Sequence, residues 1–211
     1  RYSPQLFVTA SHATQFNLEM PFGKGLIVSG NNRFYALDKK QFREFTTFLR
    51  GVLFNGKEDD LLSFLNRIKA PVIETRPVPA VWVAAGNCLI GDAKKTKNSM
   101  AVTALSRYGF NQLVGYTVPS WYGKGGWGTL GLLFSNHDAS SLAEAWYLNN
   151  QFILDETMTR FPKLMDVHFN SPDINGIKND PDFARGMNSA GYGMGLSLIH
   201  ISEPTRLGMI S

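Results

Sequence analysis

The chain holds one cysteine, Cys88, which follows directly on a largely apolar run, Ala80-Val81-Trp82-Val83-Ala84-Ala85-Gly86-Asn87. A second apolar run, Leu6-Phe7-Val8-Thr9-Ala10, stops at Ser11-His12. Thiol and imidazole are the two halves of a nucleophilic pair: the thiolate attacks, and the imidazole gives and takes the proton. Both residues stand where a strand would end. In open α/β sheets, reactive groups gather in the crevice beyond the carboxyl ends of the strands. The pattern points to covalent chemistry at Cys88 with His12 as its proton partner. The competing role for a lone cysteine is that of a small buried hydrophobe.

The elements that must position this pair follow from the apolar spacing. Leu6 to Ala10 reads as a buried strand. Gly25 to Ser29 and Arg33 to Leu37 read as a hairpin about Gly30-Asn31-Asn32, since Gly and Asn tolerate the left-handed backbone of tight turns. Phe42, Phe45, Phe48, Leu49 and Val52 keep helical spacing. A second helix is expected from Asp59 or Asp60, with Leu61, Leu62, Phe64, Leu65 and Ile68 inward. The run after Pro79 has the continuous apolarity of a central strand buried on both faces. A helix is then expected from Asn98 or Ser99, closed by Gly109, and a third strand over Gln112 to Val118. Pro119 to Gly128 reads as a glycine- and tryptophan-rich loop, and Ser140 or Ser141 as the cap of a long helix. Alternating strands and helices imply α/β architecture: a three-layer sandwich with a mainly parallel sheet flanked by helices.

Composition fits that class. The chain is 44% hydrophobic, 18% charged and 12% aromatic, which is globular rather than disordered. Net charge is +4, but the basic residues are scattered apart from Lys94-Lys95-Thr96-Lys97, so no nucleic-acid footprint is expected. One cysteine excludes an internal disulfide, and no apolar stretch approaches the ~20 residues of a membrane helix. Residues 196–211, LSLIHISEPTRLGMIS, resemble a translated sequencing adapter. Residues 1–195 are therefore expected to form a single partial domain, incomplete at both ends.

Several stretches taken together resemble the caspase–gingipain–legumain clan of cysteine peptidases, and gingipain-like bacterial proteins in particular. They are Ser11-His12-Ala13-Thr14, Ala85-Gly86-Asn87-Cys88-Leu89-Ile90-Gly91-Asp92, Asn98-Ser99-Met100-Ala101, Val114 to Val118 followed by Ser120-Trp121-Tyr122, and Leu142 to Trp146. The likeness spans roughly Leu6 to Leu154. Ala13 stands where the clan usually has glycine, and 76 positions separate His12 from Cys88, with the hairpin and two helices between them.

The resemblance implies a peptidase that hydrolyses peptide bonds through an acyl-enzyme on Cys88, with His12 protonating the leaving amine. The backbone amides of Cys88 and Ala13 would hold the oxyanion. Gly86, Asn87, Ser120, Trp121, Tyr122 and Trp127 would touch a peptide or protein substrate. Transpeptidation by the same acyl-enzyme and a non-catalytic binding or scaffold domain are the alternatives. No cofactor or metal is called for. His137-Asp138 and Asp166-Val167-His168 are pairs without further ligands, and Asp173, Asn175 and Asn179 do not complete a calcium loop. Gly123-Lys124-Gly125-Gly126 lacks the Gly-Lys-Ser/Thr ending of a phosphate loop.

Overall fold

The computed structural model describes residues 5–55, 59–74, 79–93, 98–117, 124–135, 141–160, 162 and 196–200. The strands are β1 (Leu6–Thr9), β2 (Ala13–Thr14), β3 (Asn17–Glu19), β4 (Leu26–Gly30), β5 (Arg33–Leu37), β6 (Ala80–Ala84), β7 (Phe110–Tyr116) and β8 (Leu196–His200). The helices are α1 (Lys39–Asn55), α2 (Asp59–Arg67), α3 (Met100–Arg107), α4 (Lys124–Ser135) and α5 (Leu142–Arg160).

The α/β class expected from the sequence is present, built on three parallel strands in the order β1-β6-β7. β1 pairs with β6 from Leu6↔Val81 to Thr9↔Ala84. Side chains alternate across this sheet, so its apolar runs feed two cores. Trp82, Ala84 and Leu113 face α3 through Met100, Ala101 and Ala104. Val83, Val114 and Tyr116 face α4 and α5 through Leu130 and Leu142. Burial on both faces is what a continuous apolar strand requires.

The stretch between His12 and Cys88 is more than a hairpin and two helices. β2 and β3 join β4 and β5 in a second sheet, antiparallel, in the order β2-β3-β4-β5. The short polar segments of β2 and β3 carry too few apolar residues for period-two alternation to reveal them. The Asn31-Asn32 turn takes positive φ at both positions (47° and 55°), as a tight hairpin demands. One face of this sheet, with Leu18 and Phe34, joins the α3 core. The other, with Leu26, Val28, Tyr35 and Leu37, buries Phe45, Leu61, Phe64 and Leu65 of α1 and α2. The insertion therefore adds a sheet and a helical layer to the three layers expected. Tyr108 locks it on: its ring lies 4.3 Å from that of Phe34, and its hydroxyl accepts from Phe34 N–H and donates to the Ile73 carbonyl, both at 2.8 Å.

Two further expectations change. The glycine-rich stretch read as a loop to Gly128 is helix α4 from Lys124 onward. Glycine disfavours a helix interior by about 1 kcal/mol, but here it permits contact. A Cβ on Gly126 would fall on the Ala85 backbone, and one on Gly128 on the Asn149 side chain. Leu196–His200, expected to lie outside the fold, pairs antiparallel with β7.

Candidate active site

β1 and β6 are neighbours and run the same way, so their carboxyl ends open side by side. Ser11-His12 leaves one and Gly86-Asn87-Cys88 the other. Gly86 N–H donates to the Thr9 carbonyl at 3.3 Å. Beyond it, Asn87 is fully buried, and its carboxamide spans the gap between the two chain segments. Thr9 Oγ1 donates to Asn87 Oδ1 at 2.5 Å. Asn87 Nδ2 donates to the Ser11 carbonyl at 2.8 Å and to Ser11 Oγ at 3.1 Å. Trp82 Nε1 donates to Thr9 Oγ1 at 2.8 Å, so the chain of bonds begins in the core. A buried carboxamide with its hydrogen bonds made is favourable; one left open would cost about 1–3 kcal/mol.

Cys88 opens a turn that closes at Gly91, with Leu89 at φ 57° and Asp92 N–H on the Leu89 carbonyl at 3.0 Å. Gly91 N–H donates to the Tyr116 carbonyl at 2.9 Å. The turn is thus tied to the end of β1 on one side and the end of β7 on the other, and Cys88 sits half-buried between them. Tyr116 is buried beside it. Its hydroxyl accepts Gly126 N–H at 2.8 Å and reaches the Ala85 carbonyl at 3.5 Å. Burial pushes the phenol above its ordinary 10.0, the Gly126 amide pulls it down, and charge on neighbouring Cys88 pushes it up again.

His12 is exposed at the point where the chain leaves the parallel sheet for the antiparallel one. Its carbonyl accepts Glu19 N–H at 3.0 Å, and Ser11 Oγ donates to the Glu19 carbonyl at 2.7 Å. The first of these bonds makes Ala13–Leu18 the non-hydrogen-bonded pair of the β2–β3 ladder. Ala13 N–H therefore points away from β3, along the outer edge of β2.

The other expected residues fall in three groups. Gly86 and Trp127 come together: a Cβ on Gly86 would lie 3.7 Å from Trp127 Nε1 and 3.0 Å from Ala10 Cβ. Trp127 is 50% exposed and sits on α4 rather than in a loop. Asn87, expected to meet substrate, is turned inward instead, its carboxamide engaged by Thr9 and Ser11. Ser120, Trp121 and Tyr122 lie outside the described residues, as do Lys94 to Lys97, His137-Asp138, Asp166-Val167-His168, Asp173, Asn175 and Asn179. Among the described residues no three acidic, histidine or cysteine side chains cluster as a metal site would require. The amino end of α3 faces the second sheet: Met100 N–H donates to the Gln15 carbonyl at 2.7 Å, and Asn98 Oδ1 accepts Asn31 N–H at 2.7 Å.

Sequence reasoning passed over Thr9, Ser11 and Tyr116. Thr9 had a signal, a hydroxyl inside an otherwise apolar strand, two positions before the serine it helps to hold. Tyr116 had none, because its role depends on Gly126 arriving from a helix that composition concealed. Comparison with protein-family models, with curated proteins and with solved structures returned no match.

Proposed function

We propose that this chain is a cysteine peptidase domain of the caspase–gingipain–legumain kind, acting through Cys88 and His12. The observation that carries the proposal is the parallel β1–β6 pair, whose adjacent ends lead into the histidine and cysteine segments and are joined through Asn87 and Ser11. Cys88 Sγ attacks the scissile carbonyl carbon, and the carbonyl oxygen takes the negative charge. The amides of Ala13 and Cys88 hold that oxyanion, each such donor being worth about 3 kcal/mol of barrier. His12 gives its proton to the leaving amine as the C–N bond breaks, which leaves a thioester on Cys88. Water then attacks the thioester with His12 taking its proton, the C–S bond breaks, and the acid product leaves. Gly86 and Trp127 form a rim on which an extended peptide lies.

Iodoacetamide alkylation of the single thiol tests the pairing. Wild type is expected to react at about pH 6.5 at least tenfold faster than His12→Ala, because an ordinary thiol is only a few per cent thiolate even at neutral pH. Cys88→Ala is expected to abolish hydrolysis of a denatured protein substrate. A thiol that reacts at the ordinary rate and ignores His12 rules out the dyad and leaves a non-catalytic domain.

A further inference from the structure

We infer that Asn87 is a positioning residue that sets the spacing between His12 and Cys88; the inference rests on the peptidase reading above. Three observations carry it. Asn87 immediately precedes the thiol, and its carboxamide Nδ2 holds Ser11, the residue that immediately precedes the imidazole, by both its carbonyl and its hydroxyl. Asn87 is 0% exposed, so it serves no ligand directly. It is anchored from behind by Thr9 Oγ1, itself held by Trp82 Nε1 in the core of the parallel sheet.

Without the carboxamide, β1 and β6 still pair, because their ladder ends at Thr9↔Ala84. What is lost is the register of the two segments beyond the ladder. Ser11 is also held from the far side, through its hydroxyl on the Glu19 carbonyl. The carboxamide is the counterweight that keeps Ser11 tied to the segment preceding Cys88 instead of following β3. Proton-transfer partners must stay within hydrogen-bond reach or one water of each other. A relaxation of an ångström or two at Ser11 is therefore enough to uncouple the imidazole while the fold persists.

The test follows the alkylation rate of Cys88 across pH in wild type, His12→Ala, Asn87→Ala, Asn87→Asp and the double variant His12→Ala/Asn87→Ala. At about pH 6 the alkylation rate of Asn87→Ala is expected to fall at least tenfold below wild type, to the level of His12→Ala. The double variant is expected to fall no further. Asn87→Asp keeps the acceptor for Thr9 but loses both donors to Ser11, and is expected to behave like Asn87→Ala. Thr9→Val and Thr9→Ser provide the same comparison should Asn87→Ala not fold: valine is expected to lose the acid limb and serine to keep it. A folded Asn87→Ala, or a folded Thr9→Val, whose acid limb matches wild type overturns the inference while the dyad stands. A wild type already indistinguishable from His12→Ala overturns the dyad, and the inference with it.

Discussion

Tyr116 is the side chain whose chemistry the fold most constrains. It is fully buried and its hydroxyl accepts a backbone amide, Gly126 N–H. Tyr116→Phe leaves that buried donor unmatched, so it is expected to cost about 1–3 kcal/mol in denaturant unfolding. The same phenol sets an alkaline limit. Its folded-state pKa is raised, chiefly by burial, so the folded state prefers the neutral form. The stabilisation is complete below 10.0, and is lost as pH rises from there through the folded value. Wild type is expected to lose stability over that alkaline window more steeply than Tyr116→Phe; parallel curves would show that the phenol makes no such contribution. At this scale the two segments that leave adjacent strand ends were legible, because cysteine and histidine are rare and each follows an apolar run. Asn87 stood out as well, but the direction it faces did not. A single position cannot tell whether a carboxamide meets substrate or the neighbouring strand.

Among the elements, α4 shows how the absence of a side chain directs packing. Gly126 lies against the Ala85 backbone, whereas a Cβ at Gly131 would meet nothing within 4 Å. Alanine at these two positions is therefore expected to act in opposite directions. Gly126→Ala overpacks the junction and is expected to destabilise by about 1–3 kcal/mol. Gly131→Ala is expected to stabilise by about 0.5–1 kcal/mol through helix propensity alone. Thermal unfolding of both variants checks this, and equal shifts would show that α4 does not seat on β6. Strands β1, β4, β5, β6 and β7 and the other helices were legible because their apolar spacing agrees with their local signals. Ser141 and Glu144, for instance, form the reciprocal cap that opens α5, with Glu144 Oε2 accepting Ser141 N–H at 2.7 Å and Ser141 Oγ accepting Glu144 N–H at 3.2 Å. In α4 the two disagree. Propensity argues for a loop, and the reason for helix lies in another element, out of reach of a local pattern. β2 and β3 were hidden for a similar reason, being held by their neighbours rather than by alternation of their own.

Across the whole molecule, the second sheet with α1 and α2 has its own apolar centre about Phe45, Phe64 and Leu65. It meets the parallel sheet through a separate set of side chains, among them Leu18, Phe34 and Tyr108. Phe45→Ala, at a site with no exposure, is expected to cost about 3–5 kcal/mol. That loss is expected to fall on the inserted layer first. Hydrogen exchange should then show β4 and β5 amides losing protection while β6 and β7 keep theirs; loss in step would mean that the layers open as one. His12 belongs to the seam between these two bodies, since the chain passes through it from one sheet to the other, whereas the Cys88 turn is tied to the ends of β1 and β7 in the parallel sheet. The reach from imidazole to sulfur is consequently a gauge of how well the outer layer is seated. Under the proposed dyad, a lever applied to α1 or α2, far from either residue, is expected to register as slower alkylation of Cys88 before any strand is damaged.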